Sequence, residues 1–216
     1  ERNTSVGYAS LTDNTTGIKN TAVGMSALEN NTEGGNNTSV GNNCMVQNTT
    51  GGSNTAVGSV CMQQNTTGSN NTSIGVASLD NNQTGNNCTA LGSYSLRYST
   101  ANSNTAVGHG AQNNTTTGGD NTAVGLNAMA SNTTGNVNTA LGYEALKANT
   151  TGAQNVALGR NTLKAATVAG NNTAVGSQCF EQVTTGETNT GLGYAAGYSL
   201  TTGNNNTLLG FNAGRA

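Results

Sequence analysis

The side chains that most often carry out chemistry in proteins are few in this chain. Its 216 residues include one histidine, His109, and three aspartates, Asp13, Asp80 and Asp120. A hydrolytic or transfer site needs a nucleophile, a base and a group that orients the base, and these four residues are too scattered to supply such a set. Calcium-binding rolls need an aspartate in every turn, which three aspartates cannot provide. The sequence therefore predicts no catalytic site, no cofactor and no enzyme.

The four cysteines, Cys44, Cys61, Cys88 and Cys179, admit two interpretations. Zinc sites usually contain cysteine pairs at the Cys-x-x-Cys spacing, and none occurs here, so no metal site is predicted. Cys44 and Cys61 are 17 residues apart in the sequence. If consecutive turns of the chain stack, their Cα atoms lie about 5 Å apart, within the span of a disulfide. Parallel stacked Cβ vectors suit a disulfide poorly, so we favour small buried residues, with the disulfide as the alternative.

Charge and composition exclude several classes of partner. Charged residues make up 7% of the chain and the formal net charge is −2, which leaves no basic surface for nucleic acid or an anionic membrane. No apolar run is long enough to span a bilayer, so no membrane insertion is expected. With 33% hydrophobic residues, 31 glycines and no tryptophan or proline, the chain is also poorly suited to one large globular core.

A repeat that covers the whole chain determines where the histidine, aspartates and cysteines lie. Its motif, Asn-Thr-small-aliphatic-Gly, ends in a glycine that recurs every 17 residues, with a single spacing of 16. We call each such unit a coil. The abundance of Gly, Asn and Thr favours tight corners and opposes helices. We predict an all-β fold, a parallel β-solenoid of about 13 coils with two short β segments per coil, one around Thr-Ala-Val and one around Ala-Leu. The repeat glycines are Gly7, Gly24, Gly41, Gly58, Gly75, Gly92, Gly108, Gly125, Gly142, Gly159, Gly176, Gly193 and Gly210.

Equivalent positions in successive coils form columns of distinct chemistry. The residue before the repeat glycine is always aliphatic, from Val6 to Leu209, and the fourth residue after it is usually large and apolar, such as Leu28. We predict that these two columns fill a narrow interior, together with the small residue that precedes the second one. The small residues two before the glycine, such as Ala22 and Ala56, are predicted to face outwards. They would form a stripe for side-by-side assembly or a flat solvated face.

Asparagine and threonine columns are predicted to form structural ladders. In-register stacking places each residue above its equivalent, so that asparagine amides can bond to one another along the axis, as in cross-β stacks. Each bond contributes about 1 kcal/mol net, which distributes stability along the repeat. The ladder residues are Asn20, Asn37, Asn54, Asn71, Asn104, Asn121 and Asn138, followed in several coils by Thr21, Thr38, Thr55 and Thr72.

The Asn-Thr-Ala-Val-Gly-x-x-Ala-Leu pattern resembles the head repeats of YadA-like trimeric autotransporter adhesins, and related repeats of phage and viral tail fibres. The pattern is clearest in Asn20–Leu28, Asn121–Met129 and Asn138–Leu146, and the resemblance extends over essentially the whole chain. It implies a left-handed parallel β-roll, three chains side by side, and exposure outside the cell for binding to host or matrix surfaces. The repeats of that family are shorter, and the Asn-Thr-Thr-Gly corner here is longer than the usual turn.

Both termini fall in the middle of the repeat pattern. Solenoids need polar terminal caps, because an uncovered end exposes unpaired strand edges. We therefore expect residues 1–216 to form a single repeat domain that is uncapped at both ends and belongs to a longer fibre.

Two groups of residues are candidates for surface sites. The position after the repeat glycine contains Tyr8, His109, Tyr143, Tyr194 and Phe211, and aromatic side chains there can stack on sugars or anchor a protein. Asn-x-Ser/Thr sequons also occur at the Asn-Thr-Thr corners, where glycosylation is possible if the corners are exposed. Alternatively, the sequons are a by-product of ladder and turn chemistry. The corner asparagines are Asn14, Asn48, Asn65, Asn82, Asn114, Asn132 and Asn149.

These observations predict an extracellular or surface-exposed fibre segment, on a cell or a virion, with a structural and adhesive role. Self-association as a trimer or filament and attachment to host or matrix glycans or proteins are the expected partnerships. One alternative is a purely architectural, glycosylated fibril or sheath subunit. Another is an ice-binding solenoid, although such solenoids usually present two threonines two residues apart on one face.

Overall fold

The computed structural model describes residues 2–215 and divides the chain into two compact units, Glu1–Asn104 and Thr105–Ala216. The described residues contain thirteen strands of three residues each, one per coil. The first unit contains β1 (Thr4–Val6), β2 (Thr21–Val23), β3 (Thr38–Val40), β4 (Thr55–Val57), β5 (Thr72–Ile74) and β6 (Thr89–Leu91). The second contains β7 (Thr105–Val107), β8 (Thr122–Val124), β9 (Thr139–Leu141), β10 (Val156–Leu158), β11 (Thr173–Val175), β12 (Thr190–Leu192) and β13 (Thr207–Leu209).

Within each unit the strands pair in parallel, in chain order and in register with the repeat. In the first unit Ala22 of β2 pairs with Ser39 of β3, and in the second Ala123 of β8 pairs with Ala140 of β9. Each residue therefore lies beside its equivalent 17 positions along the chain. The predicted all-β, parallel β-solenoid with a 17-residue repeat is confirmed.

The predicted orientation of the strands is wrong. The middle residues, such as Ala22, Ala56 and Ala123, are fully buried, whereas Val57 and Leu141 are 37% and 49% exposed. Successive side chains of a strand point to opposite faces, so the burial of the small column turns the aliphatic column outwards. The predicted outward stripe of small residues is therefore part of the core, and the predicted aliphatic wall of the core lies on the surface.

The interior is narrow because the small strand column packs against large side chains on the opposite wall. As predicted, those large residues are fully buried: Leu28, Met45, Met62, Leu79 and Leu96 in the first unit, and Met129, Leu146, Leu163 and Phe180 in the second. The coil that begins at Gly176 shows how the two walls share a fixed volume. A Cβ on Gly191, in the small column, would lie 2.6 Å from the ring of Phe180. The largest residue of one wall therefore stands opposite the smallest of the other.

The second predicted β segment, around Ala-Leu, is also wrong. Residues 24–30 form turns, with Ser26 and Leu28 both at φ 53°. The Ser26 N–H donates to Tyr8 O of the preceding coil at 2.8 Å, and the Leu28 N–H donates to Cys44 O of the following coil at 3.1 Å. A left-handed backbone conformation costs a residue about 1–2 kcal/mol. The hydrogen bonds to both neighbouring coils offset this cost.

Candidate functional site

The predicted asparagine ladder is present and buried, but its repeated bond differs from the predicted one. The Asn37 backbone N–H donates to the side-chain oxygen of Asn20 at 2.9 Å, and the Asn37 amide donates to Gly51 O at 2.8 Å. Bonds between side-chain amides accompany this pattern in the second unit, as between Asn138 and Asn121 at 3.2 Å. The threonines that follow, including Thr21, Thr38, Thr55 and Thr72, are half-buried residues of the strands. This ladder is structural and is not a binding surface.

The corner asparagines do not form the exposed row that the sequons suggested. Asn48, Asn65, Asn82, Asn132 and Asn149 are fully buried. The Asn48 amide donates to the side-chain oxygen of Asn31 at 2.7 Å and to Gly51 O at 3.0 Å, and so forms the predicted amide-to-amide ladder in an unexpected column. Such a nitrogen has no room for a glycan in the folded chain. Of the predicted glycosylation sites, Asn14 is half-buried and only Asn114 is exposed.

Sequence analysis did not identify the aliphatic third residues of the strands as part of the surface. We define the outer sheet face of each unit as the first and third residues of its strands. Every one of these residues is threonine, valine, isoleucine or leucine. In the first unit Val57 and Ile74 are 37% and 42% exposed, and in the second Leu141 and Leu192 are 49% and 52% exposed. An uncharged, repeated apolar surface of this kind usually marks an interface.

The predicted aromatic contacts are exposed, and the structure brings two of them together. Tyr8, His109 and Tyr143 are exposed in separate coils. Tyr194 and Phe211, in neighbouring coils of the second unit, stack with ring centroids 5.5 Å apart and an interplanar angle of 15°. They therefore form one apolar patch on the second unit.

A second aromatic cluster lies in the coil of the first unit that begins at Gly92. The guanidinium carbon of Arg97 is 5.4 Å from the ring centroid of Tyr94 and 5.0 Å from that of Tyr98. The Arg97 Nε lies 3.7 Å from Asp80 Oδ2, an ion pair too long for a hydrogen bond. Burial raises the pKa of Asp80, and the charge of Arg97 opposes that rise. The sequence signal for this cluster is two tyrosines around an arginine in the one 16-residue coil.

No protein-family model, curated protein or solved structure matches the chain. The likeness to adhesin head repeats and tail fibres therefore stays a prediction from the motif. Among the described residues, no histidine, cysteine and acidic side chains are grouped as a metal site. Residues 2–215 likewise contain no helix with the length and apolar character needed to cross a membrane.

A charged cluster in the second unit surrounds Glu144. Its side chain is 8% exposed, and its two oxygens lie 2.6 Å from Lys147 Nζ and 2.8 Å from Lys164 Nζ. These two hydrogen bonds lower the pKa of Glu144 from 4.5 to about 2, and the pKa of Lys164 is raised by the same contact. Lys147 and Lys164 come from consecutive coils, so the cluster joins neighbouring turns of the solenoid.

We expect this cluster to make the second unit sensitive to acid. Because the pKa of Glu144 is lower in the folded chain, its stabilising effect is complete above about pH 4.5 and is lost as the pH falls towards 2. The wild-type urea midpoint should therefore fall more steeply in this window than that of Glu144→Gln, which cannot titrate. Urea titrations followed by circular dichroism at pH 7, 4 and 2.5 measure the difference. Parallel pH profiles for the two proteins would contradict the assignment.

The cysteines support the small-residue interpretation. All four are free and buried. The Cys61 Sγ lies 3.0 Å from Ser73 Oγ and 3.2 Å from Ser78 Oγ, so it occupies the same interior column as serine in the next coil. A hydrogen bond with Cys61 and burial raise the pKa of the Cys44 thiol, and burial raises that of Cys179 to about 11. The Cys44 and Cys61 thiols are therefore packing residues in the reduced chain.

Proposed function

We propose that this chain is a structural and adhesive fibre segment that assembles with further copies of itself and is displayed outside a cell or on a virion. The single observation that carries this proposal is the outer sheet face. The narrow interior admits only the small middle residue of a Thr-Ala-Val strand, so the aliphatic column stays exposed to water unless another surface covers it. The strands bury alanine or serine and expose valine, isoleucine and leucine, as at Val57 and Ile74.

The energetics favour association over many coils at once. Full burial of a valine or leucine contributes about 1.5–3 kcal/mol, so a half-exposed residue gains about 1 kcal/mol when it is covered. Association costs about 4–15 kcal/mol in translational and rotational freedom. One coil cannot offset that cost, whereas the six strands of the first unit or the seven of the second can approach it. A repeated face on a repeated fold therefore suits side-by-side assembly, in a trimer or a filament.

The threonine columns favour assembly over ice binding. Twelve of the thirteen described strands pair a threonine with an aliphatic residue, as Thr55 with Val57, and β10 has Val156 in place of the threonine. Threonines at the corner are engaged internally, since Thr32 Oγ1 donates to Thr49 O at 3.1 Å and Thr49 Oγ1 to Thr66 O at 3.1 Å. Their hydroxyl groups therefore connect successive coils.

We expect charges on the outer sheet face to prevent assembly. The double variant Val57→Asp/Ile74→Asp would place two carboxylates in the interface, and should raise the dissociation constant by about a hundredfold or more. The control Ser53→Asp/Asn70→Asp adds the same charges at exposed positions outside the strands of the same two coils. Sedimentation velocity over a range of concentrations measures the dissociation constants. A wild-type chain that stays monomeric at about 100 μM, or equal dissociation constants for both variants, would overturn the proposal.

A further inference from the structure

An open groove of about 550 Å³ lies on the first unit and is lined by Gln47, Gln63, Gln64, Thr66 and Gln83. These residues come from three successive coils, and four of the five are glutamines. Each glutamine amide offers two donors and an acceptor with two lone pairs. Within the described chain, the amides of Gln47, Gln63 and Gln83 make no hydrogen bond to protein, whereas Gln64 Nε2 donates to Asn81 Oδ1 at 2.7 Å. The groove therefore presents unused hydrogen-bonding groups.

The repeat position that Gln64 occupies in the groove is taken in the next two coils by Asn81 and by Tyr98 of the aromatic cluster. Asn81, which accepts the bond from Gln64, donates its backbone N–H to Arg97 O at 2.9 Å. The Gln64 backbone N–H donates to Asp80 O at 3.0 Å. Gln64 and Asn81 are therefore both hydrogen-bonded to members of the Asp80–Arg97 ion pair. Tyr98 is 43% exposed, and its ring lies beside Arg97 of this pair. A row of amides thus ends at an exposed aromatic ring.

The chemistry of this surface selects a neutral, hydroxyl-rich ligand. The groove lining carries no formal charge, and Arg97 of the aromatic cluster forms an ion pair with Asp80. An anionic ligand therefore finds no unpaired cation among the groove residues, and an apolar ligand would leave the amides unsatisfied. Hydroxyl groups can both donate to and accept from glutamine amides, while the apolar faces of sugar rings can pack on tyrosine.

We propose that this groove binds a neutral linear oligosaccharide that runs along the coils and packs one ring against Tyr98. Amides from successive coils repeat at about 4.8 Å, so they offer equivalent contacts to successive parts of a chain with repeated hydroxyl groups. The inference deepens the adhesive part of the proposed function and rests on it. The groove, in place of the aromatic residues that follow the repeat glycines, is then the proposed site of sugar recognition.

Isothermal titration with neutral hexasaccharides of glucose and of N-acetylglucosamine, in both α- and β-linked forms where they exist, tests this site. At least one should bind the wild-type chain, and Tyr98→Ala should weaken that binding about three- to tenfold. Gln63→Ala should weaken it similarly by removing a donor and an acceptor. The control Gln182→Ala changes an exposed glutamine at the position equivalent to Gln64 in a coil of the second unit. It should leave the affinity unchanged.

Several results would overturn the site. They are no binding of any neutral hexasaccharide, stronger binding of a uronic acid hexasaccharide or a peptide at the same groove, or equal affinities of Tyr98→Ala, Gln63→Ala and Gln182→Ala. Matching urea midpoints would show that all three variants are folded. Repeating the titration on Val57→Asp/Ile74→Asp separates the two proposals. Sugar binding by a wild-type chain that does not assemble would contradict only the assembly, and assembly without sugar binding would contradict only the groove.

Discussion

Gly125→Ala should destabilise the second unit by more than about 4 kcal/mol, a loss at the upper end for a single substitution. Gly125 has φ +136°, a conformation that residues with a side chain rarely adopt. A Cβ at this position would also lie 2.5 Å from Gly142 O and 2.7 Å from Gly142 C in the next coil. The substitution therefore combines backbone strain with a collision against backbone atoms.

The neighbouring coils cannot move apart to relieve that collision without losing hydrogen bonds. The Gly142 N–H donates to Val124 O at 2.8 Å, and the Gly125 N–H donates to Val107 O at 2.8 Å. An increase in the coil spacing would break the first of these bonds and expose the small buried residues beside it. Because coils of a solenoid contact mainly their neighbours, the damage should be greatest in the adjacent coils.

Gly210→Ala is the matched control for this experiment. In the chain of residues 1–216, Gly210 occupies the same repeat position, with φ +117°, and a Cβ there has no atom within 4 Å. It therefore reports the backbone strain alone, about 1–3 kcal/mol. Urea denaturation followed by circular dichroism gives both free energies of unfolding, and amide exchange locates the weakened coils. If the two substitutions cost the same, the close contact of stacked glycines makes no energetic contribution.

The glycine period was enough to predict the solenoid, because a spacing of 17 residues, interrupted once by a spacing of 16, indicates coils that stack in register. It was not enough to orient a strand of three residues. Hydrophobicity placed Val57 inside and Ala56 outside, and the structure reverses both. The width of the interior decides which face of the strand is buried. That width depends on how the two walls pack against each other, and the hydrophobicity of one strand gives no information on it.

A signal for the correct orientation was present in the irregular coils. Where the large column has Phe180, the strand column has Gly191 in place of alanine, and where the large column has Gly197, the strand column has Leu208. A Cβ on Gly197 would lie 2.9 Å from Leu208 Cδ1, so the two positions share one volume. Compensating changes of size between two columns identify facing interior positions more reliably than hydrophobicity does.

The buried corner asparagines could have been recognised in a similar way. The column that contains Asn132 and Asn149 continues with Ala166, Val183 and Leu200. Ala166 and Val183 are fully buried, as are the asparagines. A position that accepts both asparagine and valine is more plausible as an interior ladder than as a glycan acceptor. An Asn-x-Thr sequon does not reveal whether its asparagine is buried, because turns and buried side-chain ladders use the same residue types.

Asn138→Ala should cost the second unit about 2–4 kcal/mol, because it leaves a buried donor unsatisfied and opens a small cavity. Asn138 is 1% exposed, and its side-chain oxygen accepts from the Asn155 backbone N–H at 2.9 Å and from the Asn155 amide at 3.1 Å. The amide of Asn155 keeps a second acceptor, Ala169 O at 2.8 Å. Among residues 2–215 the Asn155 backbone N–H makes no other hydrogen bond, so the lost acceptor dominates the cost.

Asn138→Asp separates the contribution of the Asn138 side-chain oxygen, which accepts, from that of its side-chain nitrogen, which donates. The carboxylate retains an acceptor for Asn155 but turns an oxygen, in place of the amide nitrogen, towards Gly152 O, which the Asn138 amide contacts at 2.8 Å. Protonation restores a donor, so folding should raise the pKa of this aspartate. The stability lost relative to wild type should then be small below the ordinary pKa of about 4 and grow as the pH rises. Asn138→Ala should show no such pH dependence.

Thr139→Val is the control for both ladder variants. Thr139 is the next residue, half-buried at the outer sheet face, and the same column contains Val156 in the following coil. Its cost should stay within about 0.5 kcal/mol, as for surface substitutions in general. Urea midpoints of the three variants at pH 3 and pH 7 make the comparison. A cost for Asn138→Ala no larger than for Thr139→Val would mean that the amide ladder does not stabilise the stack, which would then depend on backbone pairing and on the narrow apolar interior.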